Sequence, residues 1–76
     1  MNEDLTAAEI GDRLRVARES AKVTQAAAAE ALQLARTTVV AIEQGQRRPR
    51  LDELQKFAAL YAVSVNSLLR REAVQI

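Results

Sequence analysis

Between Thr24 and Gly45 the chain reads TQAAAAEALQLARTTVVAIEQG, and the side chains able to make directed contacts gather in and just beyond its second half. The guanidinium of Arg36 can donate two hydrogen bonds to the edge of a guanine, and Thr37 beside it can donate or accept one. Val40 and Ala41, one turn further on, cannot hydrogen-bond through their side chains but can pack on a thymine methyl group. Arg47, Arg48 and Arg50 crowd the next loop, a density of positive charge suited to phosphate or to a narrow minor groove. Thr24, Gln25, Thr38 and Gln44 add polar groups able to hold a sugar-phosphate backbone. Gln25 is helped by the free N–H groups and dipole of a helix start. These residue types are able to meet duplex DNA, Arg36, Thr37, Val40 and Ala41 at base edges and the other seven at the backbone, though the types alone do not single out that partner.

Such contacts require a rigid carrier. Thr24 has the chemistry of an N-cap before an Ala-rich run, Arg36-Thr37-Thr38 opens a second helical segment, and Gly45 tolerates the positive φ that ends it. Helices are therefore expected over about 25–32 and 36–44, joined by the turn Gln33-Leu34-Ala35, with Ala28, Ala29 and Leu32 inward and Leu34 plugging the angle. In the second helix Val39 and Ile42 share one face and Arg36, Thr37, Val40, Ala41 and Gln44 occupy the others. That is the division a helix needs to be held from behind and offered to a major groove.

The flanking segments supply the support. Thr6 and Glu9 have capping-box spacing and Leu5 and Ile10 can form a hydrophobic staple, so a first helix begins there and gives out near Lys22. Ile10, Leu14, Ala17 and Ala21 draw its buried stripe. Pro49 excludes helix at its predecessor, and Asp52 and Glu53 suit the positive end of a fourth helix over about 51–61. Leu51, Leu54, Phe57, Ala58 and Tyr61 form the inward side of that helix. Ser64 can cap a fifth, over about 65–71, burying Val65 and Leu68; residues 72–76 carry no assignment. Arg18 and Glu43 are each charged beside an apolar stripe, and a partly buried charge requires a partner, so the two are expected to pair.

Composition narrows the alternatives. Seventy-six residues, 49% hydrophobic and 28% charged, make one soluble all-α domain spanning 1–76, with a core over about 6–70. Without Cys or His, the chain has no disulfide, zinc-finger ligand set or imidazole acid–base chemistry. No Gly-rich phosphate loop, metal-ligand cluster or nucleophile with a general base is present, so an enzyme is not expected, nor a cofactor, metal or small-molecule ligand. No apolar run reaches the roughly 18 residues of a membrane span, and Glu3 and Asp4 give the start the wrong charge for a signal peptide, which places the protein in the cytoplasm. The net charge of +1 is unevenly spread: residues 1–12 carry −4, residues 13–50 carry +5, and residues 51–76 balance. The positive excess thus lies on the stretch 13–50 that contains the two-helix unit, most of it on the flanks of that unit.

Ile10, Leu14, Arg18, Thr24-Gln25, Ala29, Leu34, Val39, Ile42-Glu43-Gln44-Gly45, Pro49 and the Leu51, Leu54, Ala58 series together resemble the Cro and lambda-repressor-type helix-turn-helix domain, the XRE family, over roughly residues 9–69. The resemblance implies a compact five-helix domain that reads an operator with its third helix, usually as a homodimer on paired half-sites. It implies the same Arg18–Glu43 link. Gln33 departs from the family's usual Gly, so either Gln accepts positive φ or the turn differs. Ala28, Ala35 and Arg50 also depart, from a large aliphatic residue, a Ser or Thr cap and a Ser. The leading expectation is a dimeric transcriptional regulator, with a regulatory protein partner as a further possibility. The alternative is a protein-interaction module that kept the fold without DNA binding, motivated by apolar Val40, Ala41, Leu60, Leu69, Val74 and Ile76.

Overall fold

The computed structural model describes residues 5–69. Of its five helices, three open on a Thr or Ser side-chain cap. Thr6 Oγ1 accepts the Glu9 N–H at 3.2 Å and Glu9 Oε1 accepts the Thr6 N–H at 2.8 Å, closing a reciprocal box at the head of α1, Ala7–Ser20. Leu5 and Ile10 are both buried beneath this cap, the positions of a hydrophobic staple. The helix closes at Ala21, and Lys22 turns the chain with φ 64°. Thr24 Oγ1 accepts from the Ala27 N–H at 3.0 Å and starts α2, Gln25–Leu32.

The inter-helix turn keeps the left-handed geometry despite lacking glycine. Gln33 adopts φ 59°, and the Leu34 N–H reaches back to the Ala29 carbonyl at 2.9 Å. Leu34 then packs against the core as α3, Arg36–Glu43, begins. Gly45, at φ 79°, turns the chain out of α3, and a Cβ there would stand 2.7 Å from the Ala8 Cα. Two further helices complete the domain: α4, Leu51–Tyr61, and α5, Val65–Leu69, with Ser64 Oγ accepting the Ser67 N–H at 3.1 Å. Residues 70 and 71 of the expected fifth helix, together with Val74, Ile76 and the rest of the tail, lie outside the described residues.

The core joins Ile10 and Leu14 of α1, Ala28, Ala29 and Leu32 of α2, Val39 and Ile42 of α3, Leu54, Phe57, Ala58 and Tyr61 of α4, and Leu68 of α5. The alanines of α2 let neighbouring helices approach closely. Ala17 and Ala21 are half-buried at the margin of this core, as is Val65. α1 and α3 approach closely at Gly11, where a Cβ would strike the carbonyl oxygens of Ile42 and Glu43, the latter at 2.6 Å. Gly11 is therefore what sets the depth at which α3 lies on α1.

One expectation for α4 needs correction. Leu51 is not inward: it is 60% exposed, beyond the core. Glu53 does lie in the first turn, as expected, and is in addition only 3% exposed and bonded to Arg47 and to the Arg50 N–H.

These backbone constraints give opposite outcomes for two substitutions. Gln33→Gly removes a left-handed penalty of roughly 1 kcal/mol and raises the melting temperature. Gly11→Ala forces two packed backbones apart and destabilises by roughly 1–3 kcal/mol. Thermal unfolding followed by circular dichroism checks both.

Candidate nucleic-acid interface

Helix α3 is gripped from one side, with Val39 and Ile42 both at 0% exposure. On the other side Arg36, Thr37 and Gln44 are exposed, while Thr38, Val40 and Ala41 are half-buried. The apolar pair thus sits lower on the flanks than Arg36 and Thr37. Ala35, the N-cap residue, makes no side-chain bond to the first turn, so the N–H groups beside Arg36 are left without a side-chain cap. Arg36 has no hydrogen-bond or ion-pair partner among the described residues, and its guanidinium is available to an outside acceptor.

The three loop arginines differ from it. Arg47 lays its fork on Glu53, Nη1 to Oε1 and Nη2 to Oε2, both at 2.9 Å. Arg48 Nη1 donates to the Leu5 carbonyl at 3.3 Å, tying the loop to the head of α1. Arg50 is 70% exposed at its side chain, 3.5 Å from Asp52 and 3.8 Å from Glu53. The expected cluster of positive charge is therefore partly neutralised within the protein, at Arg47. A buried carboxylate has to be met by donors, and Glu53 takes both arms of Arg47 and the Arg50 N–H at 2.9 Å. Bonding from Arg47, ahead of the Arg50 N–H and against the cost of burial, holds the Glu53 carboxyl below the usual glutamate value of 4.5.

Behind α3 lies a second carboxylate. Glu43 Oε2 accepts from Arg18 Nε at 2.7 Å and Oε1 from Arg18 Nη2 at 3.2 Å, with the Glu43 side chain 4% exposed. Arg18 Nη1 also donates to the Val23 carbonyl at 2.9 Å, and Gln25 Nε2 donates to Glu43 Oε1 at 3.0 Å. Bonding to Glu43 raises the Arg18 pKa despite its partial burial. Burial, reinforced by the Glu43 charge, pushes the nearby Tyr61 phenol up to about 12. Thr24 remains exposed with its hydroxyl engaged as a cap, and half-buried Gln25 is the first residue of α2.

An open apolar groove of about 640 Å³ lies between α1, α4 and α5, lined by Val16, Ala17, Leu60, Val63 and Leu68 among others. It shares no residue with α3 or the arginine loop. The Glu53 cluster and Gly11 escaped the sequence reading. Glu53 carries a possible sign, a carboxylate three residues after the N-cap position, but nothing there distinguishes a surface cap from a buried one.

Two short helices meeting at a left-handed turn, the second anchored on one face and polar at its exposed start, define a helix-turn-helix unit. A helix-turn-helix domain model matches residues 9–72, and the chain belongs to that family. Over 65 residues it is 38% identical to the HTH-type transcriptional regulator ImmR of Bacillus subtilis (strain 168), covering 86% of this chain and 51% of that protein. The chain thus spans about half the length of this curated relative. Among solved structures it is similar to the restriction-modification controller protein C.AhdI of Aeromonas hydrophila, at TM-score 0.76 and 29% identity over 82% of this chain and 94% of that one. It is also similar to SinR, the master regulator for biofilm formation, in complex with DNA, at TM-score 0.72 and 28% identity over 78% and 95% of the two chains. The expected fold and family are therefore both met.

The two carboxylates make separate predictions. Glu43→Ala leaves the Arg18 guanidinium buried without its counter-charge, a loss of about 3 kcal/mol that thermal unfolding would register as a lower melting temperature. Glu53→Gln costs about 1–3 kcal/mol near neutrality. Because the folded state lowers the Glu53 pKa, its contribution is present above 4.5 and is lost as pH falls through the folded value. Urea unfolding should show the gap between wild type and Glu53→Gln steady at neutral pH and shrinking below that point.

Proposed function

We propose that this chain is the DNA-binding module of a transcriptional regulator and that it inserts α3 into the major groove of a duplex. The observation that carries the reading is Arg36: exposed, without a partner among the described residues, and standing at the start of a helix that has no side-chain cap and whose opposite face is locked in the core. Arg36 and Thr37 are the base-edge residues in this reading, and Val40 and Ala41 offer apolar flanks to thymine methyl groups. Thr24, Gln25, Thr38, Gln44, Arg48 and Arg50 are the backbone contacts. Arg47 acts mainly by fixing the loop, since both of its arms are held by Glu53. The relatives support the assignment, two being regulators by name and one of those crystallised with DNA.

The working form in this reading is a cytoplasmic homodimer on paired half-sites, open to control by a protein partner, with no catalytic step of its own. No helix of the described residues is long and apolar enough to cross a membrane. A protein-interaction role without DNA is the competing reading, and half-buried, apolar Val40 and Ala41 are what favour it.

Titration of a fluorescent duplex at low and physiological salt decides between the two. Binding is expected, with log K falling against log salt at a slope of about −0.9 for each phosphate neutralised. Selection from a random duplex pool should recover a site in which Arg36→Ala relaxes one guanine preference by about 1–3 kcal/mol. Absence of binding at both salt concentrations would leave the interaction role standing.

A further inference from the structure

Three helices converge on Glu43, and only one of its contacts leads to the proposed DNA surface. Arg18 reaches the carboxylate from α1 and Gln25 reaches it from the first position of α2. The chemistry of the two donors differs. A guanidinium can only donate, whereas a carboxamide can present either its nitrogen or its oxygen. A carboxylate can only accept, so Glu43 forces the amide of Gln25 to turn Nε2 inward. One hydrogen of that nitrogen is then used at 3.0 Å and the second remains for another acceptor.

From this we infer that Glu43 is a positioning residue for DNA contact: it fixes the sense of the Gln25 amide so that its second N–H meets a phosphate. The inference rests on the reading above that Gln25 is a backbone contact. An amide free to rotate by half a turn would offer its oxygen, which a phosphate repels. The same carboxylate that joins α1 to α3 thus presets a group at the head of α2 before DNA arrives, and the ordering cost is met during folding.

A double-mutant cycle tests it, using a labelled mixed-sequence duplex at low salt and temperatures at which each variant is folded by circular dichroism. Gln25→Ala is expected to weaken binding about tenfold. Glu43→Gln, which preserves shape but can donate as well as accept, should weaken wild type several-fold and have no further effect in the Gln25→Ala background. Leu68→Val, buried in α5, lowers stability elsewhere and should leave affinity within about twofold. Equal losses from Glu43→Gln in both backgrounds, or a loss from Leu68→Val as large as that from Glu43→Gln, would overturn positioning while leaving DNA binding intact. If Gln25→Ala binds like wild type, the phosphate contact itself falls and positioning falls with it. If wild type fails to bind, the proposed function falls first. Should Glu43→Gln not fold, wild type supplies the readout: on adding duplex, nuclear magnetic resonance should show one of the two Gln25 amide protons shifting while the other stays. Movement of neither, or of both alike, refutes the arrangement.

Discussion

A carboxylate withdrawn from water must be surrounded by donors, and the shape of this domain follows from how Glu43 meets that demand. The side chain sits at the end of α3, where packing of Val39 and Ile42 has already excluded solvent. Two arms come from Arg18 and a third donor from Gln25, so α1, α2 and α3 are indexed to one another through a single group. Apolar packing supplies most of the cohesion but is tolerant of small rotations. The directed bonds to Glu43 remove that tolerance, because a bidentate fork and an amide satisfy one relative placement of the three helices.

The loop after α3 repeats the solution on a smaller scale. Glu53 is buried, Arg47 is its counter-ion, and the Arg50 N–H closes the start of α4 on the same oxygen that accepts Arg47 Nη1. The apparent density of positive charge in the loop is therefore partly internal. Of the arginines placed at the proposed interface, Arg36 has no partner among the described residues, Arg48 touches a backbone carbonyl, and Arg50 lies within 4 Å of two carboxylates while staying exposed. Chemically identical side chains are thus divided by their neighbours, Arg47 into loop structure and Arg36 into an exposed group open to an outside acceptor.

Much of this was legible in the sequence because it depends on neighbours close along the chain. Thr6 with Glu9, and Thr24 ahead of an alanine run, mark the starts of α1 and α2 by chemistry that spans one turn, and Pro49 with Asp52 and Glu53 marks that of α4. The apolar spacing of Val39 and Ile42 sufficed to orient α3. The misreadings are all tertiary. Leu51 has the right spacing to be inward but lies past the edge of what α4 packs on. The burial of Glu53 depends on where Arg47 arrives, six residues earlier and across a turn. Gly11 looks like an ordinary weak spot in a helix until α3 is laid across it. Gln33 left two outcomes open, and its φ of 59° shows that the turn geometry prevailed over the preference of the residue.

The absence of a side chain at Gly11 has a consequence for how such a domain can diversify. With α1 resting directly on the main chain of Ile42 and Glu43, the height of α3 above the body is set by backbone against backbone. Replacing Arg36, Thr37, Val40 or Ala41 does not alter that seating. The chain thereby separates the outward side of α3 from the backbone seat that holds it, so the outer residues can change without rebuilding the frame.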